Sequence, residues 1–246
     1  MTEKQTSLAG SQVLSLLAGG KIEVEGRILW SSNATLLVTV HHVGLSCLAV
    51  YKPQRGETPL WDFASGTLGR REVAAYLVCE ALGWGLVPPT VMRDGPYGPG
   101  SVQHFIDARE GSHYFTIREG GNHSDDLMRL AAFDAVTNNA DRKSGHCLLD
   151  REGRLWAIDN ALTFHVDPKL RTVIWDFSGL PLPRGVLSDL TRLQDDLQEE
   201  TSLSRALSPL LSEIEMTALQ LRLQRLILAG RYPEPGPGLA VPWPLV

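Results

Sequence analysis

The chain has no apolar run near the roughly 20 residues that a membrane-spanning helix needs. Its first residues, "MTEKQTSLAGSQVLSLLAGG", begin polar and acidic, and "VLSLLAG" is too short and too poorly flanked for a secretion signal. Cysteine is scarce and odd in number: Cys47, Cys79 and Cys147 each sit among apolar residues. That argues for reduced, buried thiols in a cytoplasmic protein. The sequence holds no Cys-x-x-Cys and no His-Glu-x-x-His, which disfavours structural zinc and zincin chemistry. It holds no Gly-x-Ser-x-Gly nucleophile elbow. Positive charge is not in excess: 23 Lys and Arg face 28 Asp and Glu, a formal net charge of -5. This argues against a nucleic-acid partner held by a broad basic surface. No internal repeat is evident. What remains is 246 residues, 43% hydrophobic, enough for a sizeable core in one large domain or two small lobes.

The patterning changes along the chain. Apolar positions over residues 6–18 recur at helical spacing and stop at Gly19-Gly20. "KIEVEGRILW", "TLLVTVHHV" and "LSCLAVYK" read as three antiparallel strands. A loop, "PQRGETPLWDFASGT", leads to a helix, "LGRREVAAYLVCEALGWG", with Thr67 or Ser65 as cap and Gly83 as stop. Two short strands flank a Gly/Pro turn between residues 86 and 107. Residues 107–123 read as a linker with a mobile loop. A helix starts at Ser124 with acids in its first turn, where the helix dipole favours them. A hairpin, "CLLDREGRLWAID", follows, then a loop after Pro168 and two helical stretches, "LSDLTRLQDDLQEE" and "LSEIEMTALQLRLQRLILAG". "RYPEPGPGLAVPWPLV" reads as an extended strap. Trp61-Asp62-Phe63 and Trp84 read as packing anchors of the β-rich part. The plan is α+β: a β-rich lobe, residues 1–106, then a mainly α-helical lobe, residues 107–246, with a ligand expected between them.

Certain residues resist a purely structural reading. Lys52 ends a strand and Glu72 falls in the first turns of the next helix. Each alone is bland, but together they copy the strand-lysine and helix-glutamate pair that holds nucleotide phosphates in kinases. In "NNADRKSGH", Asp141 and Lys143 are two apart. Asp141 is placed to orient or deprotonate an acceptor, and Lys143 to neutralise charge on a transferred group. The hairpin delivers Asp159 after an apolar strand, which suits a metal bound to phosphates. Asn138 and Asn139, just before this loop, read as a helix C-cap rather than as catalytic groups.

These residues carry a resemblance. "AVYKPQRGE", "RREVAAYLV", "SVQHFI", "NNADRKSGH" and "AIDNALTFH" together resemble the phosphatidylinositol 3-/4-kinase-like catalytic domain, and in particular a small bacterial family similar to it. The resemblance covers residues 22–230 and implies a two-lobed protein-kinase-like fold. It implies that Lys52 binds phosphate and Glu72 positions it, that Gln103 to Ile106, with Phe105, lie beside adenine, that Asp141 is the catalytic acid and that Asp159 is the main metal ligand. The turn Ser31-Ser32-Asn33 takes the place of a glycine-rich loop. Four departures stand out. There is no Gly-x-Gly-x-x-Gly; Asn160-Ala161 follows Asp159; Lys143 replaces a usual His; and His146 stands where the motif has a metal-binding Asn. Neutral imidazole is a metal ligand that suits Mn²⁺ better than Mg²⁺.

The expectation is therefore an ATP-dependent phosphotransferase using Mg²⁺ or Mn²⁺. Its acceptor is an unidentified protein or small molecule, with lipid least supported. The rivals are a nucleotide-binding pseudokinase with a regulatory role and a kinase-fold AMP transferase. Neither nucleic acid nor stable membrane insertion is expected.

Overall fold

The computed structural model describes residues 10–28 and 33–245. The chain divides into two compact units. One takes the residues up to Leu60 with Ala64–Gly69 and Pro89–Phe105; the other takes Trp61–Phe63, Arg70–Pro88 and Ile106 onward.

The first unit is a five-stranded antiparallel sheet with one helix. Helix α1 (Gly10–Gly19) precedes β1 (Lys21–Arg27), β2 (Leu36–His42), β3 (Leu45–Pro53), β4 (Thr90–Gly95) and β5 (Gly98–His104). The strand order is β1-β2-β3-β5-β4. Alternation decides which side chains go inward. Val38, Val40, Cys47, Ala49 and Tyr51 share a core with Val102, and Val13, Leu16 and Leu17 of α1 close over it. β2 and β3 turn at Val43-Gly44, both with positive φ (45° and 76°). Two left-handed residues suit the right-handed strand twist of a tight hairpin, although a β-branched residue seldom accepts that conformation. The three expected strands and the later pair are all present.

In the second unit, α2 (Leu68–Leu82), which begins in the first unit, contributes Arg70 onward. There follow α3 (Tyr114–Gly120), α4 (Ser124–Thr137), β6 (Cys147–Leu149) paired with β7 (Leu155–Ala157), α5 (Arg184–Asp196), α6 (Ser202–Leu207) and α7 (Glu213–Ala229). Buried Val186, Leu190 and Leu193 of α5, and Leu219, Leu223 and Leu226 of α7, follow the i, i+4, i+7 stripe that sends one helix face inward. α7 packs on both α4 and α5. All three cysteines are free and buried. Burial pushes the Cys147 thiol up to about 12, so it stays protonated.

Three expectations need correction. Residues 107–123 are not all linker: α3 lies there, with Tyr114 and Ile117 buried. Seven residues give too little periodicity to register against flanking glycines. Helix α6, six residues between the two expected helical stretches, is missed for the same reason. Trp61-Asp62-Phe63 and Trp84 do not anchor the β-rich unit. They group with the second unit, and Trp61 is 91% exposed. Trp84 is buried there and donates from Nε1 to Asp189 Oδ2 at 2.8 Å. Aromatic character in a loop says that a residue can pack, not against what.

The approach of β5 to β3 beside Lys52 depends on a missing side chain. A Cβ on Gly100 would lie 2.4 Å from the Lys52 carbonyl oxygen and 2.8 Å from the Pro53 Cα. Neither backbone atom can move without opening the sheet. Gly100→Ala should therefore cost about 1–3 kcal/mol, the usual range for overpacking, read as a lowered denaturation midpoint by circular dichroism.

Candidate functional site

The second unit brings Glu72, Asp141, Lys143, His146 and Asp159 into one bonded framework. Its keystone is a residue that the sequence reading passed over. Arg142 is fully buried beneath the loop that bears Asp141 and Lys143. Its Nε reaches both carboxylate oxygens of Asp134 at 3.1 Å, and its Nη2 reaches Oδ1 at 3.0 Å. The same Nη2 donates to Asn160 Oδ1 at 2.6 Å, and Nη1 donates to the Ile158 carbonyl at 2.8 Å. One guanidinium thus joins α4, the loop and the strand exit at Asp159. Its planar fork of donors makes this possible; a lysine could not do it. Asp134 also accepts from Asn139 Nδ2 (3.1 Å) and Thr172 Oγ1 (3.2 Å). Burial pushes its carboxyl up, and Arg142, Thr172 and Asn139 act against that.

The signal for Asp134 was present. It falls on the α4 stripe with buried Leu127, Leu130 and Ala131, an acid at a core position. Such an acid needs a partner, and Arg142 in "ADRK", eight residues on, was a cation without an assigned role. Asn138 caps α4 in the left-handed conformation (φ 54°), as expected. Its amide also donates to the His165 and Asp167 carbonyls (2.9 and 2.7 Å), which ties the following segment to the helix end. Asn139 instead accepts the Asp141 backbone N–H at 2.9 Å.

Asp141 and Lys143 face one another, Oδ2 to Nζ at 3.3 Å, each about a quarter exposed. Burial raises the Asp141 carboxyl above its ordinary value. Lys143 opposes that rise, and the Asp159 charge adds to it. Asp159 is held in the left-handed region (φ 54°), a conformation that aspartate tolerates better than most residues. Both neighbours are pinned: Ile158 N–H donates to the His146 carbonyl at 3.0 Å, and Asn160 N–H donates to Glu72 Oε2 at 3.0 Å. Glu72, 1% exposed, therefore acts on the backbone beside Asp159, a role the sequence did not suggest. His146 Nε2 lies 3.5 Å from Asp159 Oδ2. Its Nδ1 accepts the Lys143 backbone N–H at 3.4 Å. In the neutral ring that places the proton on Nε2, toward Asp159. A metal ion on Nε2 would require the other tautomer and the loss of the Lys143 bond.

Lys52, Asn33, Gln103 and Phe105 belong to the first unit, and Ile106 to the second. Lys52 is half-buried on β3, paired with Ser101. Gln103 lies inside β5, and its side chain donates to Thr90 Oγ1 at 2.8 Å. Phe105 N–H donates to the Leu48 carbonyl at 3.0 Å. Asn33 Oδ1 accepts from Thr58 N–H at 2.7 Å. Ser31 and Ser32 lie outside the described residues. Lys169, in the loop after Pro168, is mostly buried on Asp62 (2.8 Å). The turn acid Asp150 is structural: it accepts from the Glu152 and Arg154 N–H groups (2.9 Å each) and from Trp156 Nε1 (2.8 Å).

Two predictions follow from this geometry. Asp134→Ala leaves the Arg142 charge buried without its partner and should cost about 3–5 kcal/mol in denaturant unfolding. The paired change Asp134→Leu with Arg142→Met should cost clearly less. Asp141→Asn should raise the thermal midpoint at neutral pH. The carboxyl's pKa is raised on folding, so ionised Asp141 opposes folding above that pKa. The penalty, and with it the gain from Asn, should fade as pH falls through the folded and then the unfolded carboxyl range.

The comparisons agree with this architecture. No family model matches the chain. Among solved structures, the Golgi casein kinase with Mn and ADP bound is similar over 89% of this chain and 75% of its own, at 14% identity and a TM-score of 0.56. Hydra Fam20 with sugar covers 89% and 87% at 15% identity and a TM-score of 0.53. The proinflammatory kinase CtkA of Helicobacter pylori covers 88% and 94% at 12% identity and a TM-score of 0.54. The fold is protein-kinase-like: an antiparallel β unit followed by a mainly helical one. Protein Rv2133c of Mycobacterium tuberculosis is 38% identical over 264 aligned residues, 94% of each chain, and this protein belongs to the same family.

Proposed function

We propose that this protein is an ATP-dependent phosphotransferase. One observation carries the reading. In a chain of protein-kinase-like fold, Asp141, Lys143, His146 and Asp159 stand together on a loop and strand exit braced by a buried arginine. Phosphoryl transfer asks mainly for placed charge rather than covalent chemistry, and this framework is built to place charge.

Asp141 takes the role of orienting the acceptor hydroxyl and receiving its proton. Burial already lifts its carboxyl, which favours a base over a permanent anion. Lys143 neutralises charge on the transferred group. Asp159, nearly half exposed, offers oxygen donors suited to Mg²⁺ or Mn²⁺. Among the described residues no group of three or more His, Cys, Asp and Glu side chains is placed to hold a metal. A nucleotide-associated ion fits that donor set, because phosphate oxygens and water complete its coordination. When bound, the ion would neutralise phosphate charge. Lys52 is assigned to phosphate and Phe105 to the adenine side by resemblance to phosphatidylinositol 3-/4-kinase-like domains, an ancestry that is part of this proposal. So are a cytoplasmic location and an acceptor that is a protein or small molecule. Among the described residues no helix is long and apolar enough to cross a membrane.

A second reading, a nucleotide-binding pseudokinase, is favoured by His146. Its ring presents a proton rather than a lone pair to Asp159.

The test is direct. ATP with Mg²⁺ or Mn²⁺ should raise the melting temperature of the native protein, and Lys52→Ala or Asp159→Ala should abolish that shift. Label from γ-³²P-ATP should reach an acceptor, by at least about a hundredfold more in the native protein than in Asp141→Ala, the usual weight of a placed acid or base. A thermal shift without any transfer would establish the pseudokinase. Retained label from α-³²P-ATP would establish AMP transfer. No shift with either metal would overturn all three readings.

A further inference from the structure

The loop that bears Asp141 and Lys143 is touched by a distant part of the chain. Residues 240–245 have no regular secondary structure, bend at 241, 243 and 244, and are tied down at both ends. The Leu245 carbonyl accepts the Ser144 backbone N–H at 2.8 Å. The Ala240 carbonyl accepts the Thr172 N–H at 3.1 Å and the Trp175 indole N–H at 2.9 Å. Thr172 and Arg142 form a parallel bridge, so this face is continuous with the catalytic loop. Ser144 directly follows Lys143 and lies two residues before His146.

The character of these bonds is informative. Every donor belongs to the framework, and every acceptor on the segment is a main-chain carbonyl. A surface that reads only main-chain carbonyls makes no demand on side-chain identity, so it accepts polypeptide in general. The segment itself is a poor permanent occupant. Only Pro242 is buried, while Trp243 is 82% exposed. Its sequence, Ala-Val-Pro-Trp-Pro-Leu, carries no hydroxyl that could receive a phosphoryl group. It also leaves a polar atom unserved: Ser144 Oγ is buried and has no hydrogen-bond partner. Buried hydroxyls are nearly always paired, and an unpaired one is costly. An occupant with a polar side chain at this point would satisfy both the Ser144 N–H and its hydroxyl.

We propose that the face made by Ser144 and Thr172–Trp175 is a docking groove for a polypeptide acceptor, held closed in cis by residues 240–245. The groove rests on the phosphotransferase reading for its purpose but not for its binding chemistry, and the two fail separately. The acceptor class is then a flexible protein segment rather than a metabolite.

Two released forms test this. In one, Pro242→Asp removes the buried anchor. In the other, a protease site inserted between Gly236 and Gly238 is cleaved after folding, and the freed segment is washed away. The probe is a fluorescent synthetic peptide of residues 238–246. It should bind both released forms and bind the intact protein at least about tenfold more weakly, since a tethered occupant competes at high effective concentration. Release should also raise γ-phosphoryl transfer to a disordered Ser/Thr-rich protein such as casein several-fold, and the peptide should reverse the gain. Failure of the peptide to bind the cleaved form would overturn the groove, as would unchanged transfer after release in a protein that phosphorylates casein. Peptide binding without any ATP-induced thermal shift would keep the groove and overturn the phosphotransferase reading.

Discussion

The buried pair of Arg142 and Asp134 is the constraint on which the rest of the second unit turns. Both side chains are fully removed from solvent. Two charges in such surroundings are tolerated only when nearly every donor and acceptor finds a partner. Asp134 meets that demand with Arg142, Asn139 and Thr172, and Arg142 with Asp134, Asn160 and the Ile158 carbonyl. Satisfying the pair therefore fixes four separate stretches of chain at once: α4, the loop after it, the exit from β7 and the segment at residue 172. Apolar packing could hold these stretches together, but it is not directional. The hydrogen-bonded pair sets where each backbone must be.

That placement is what a site needs. Asp159 sits in a backbone conformation that few residues choose, and it stays there because Ile158 and Asn160 are each bonded to another element. Strain of this kind persists only where the surroundings over-determine it. Glu72 belongs to the same arrangement, reaching the Asn160 N–H from α2. Asp141 is lifted by burial, and Lys143 opposes that rise. The stabilising groups and the exposed ones are thus different residues on the same short loop. Arg142 and Asn139 turn inward, and Asp141 and Lys143 turn toward solvent.

Much of this was legible beforehand. Val, Ile, Leu and Thr content and a Gly/Pro turn identified the five strands, and 3.6-residue periodicity identified the longer helices, because that period comes from burial on one face. Asn138 was readable as a cap because left-handed helix ends favour asparagine and glycine. Spacing marked Asp141 and Lys143, and the kinase resemblance added His146 and Asp159. Short elements were not legible: α3 and α6 are too brief for a period to emerge. Nor were the partners of loop residues. Trp61 looked like an anchor and is exposed, whereas the loop cation Lys169 is buried on Asp62. A side chain's type limits what it can do, but its neighbour is chosen by chain segments a hundred residues away.

The sequence by itself determined the fold class, the order of elements and the chemically distinctive loop, since these depend on local periodicity and on residue spacing. Tertiary structure alone decided which charges work as supports and which remain available. Arg142 and Lys143 are adjacent cations and look alike in the sequence. One is spent inside the protein because α4 happens to present Asp134 behind it, and the other faces outward beside Asp141. Tertiary structure also decided that residues 240–245 reach Ser144, for no local pattern links a Pro-rich strap to a loop about a hundred residues before it.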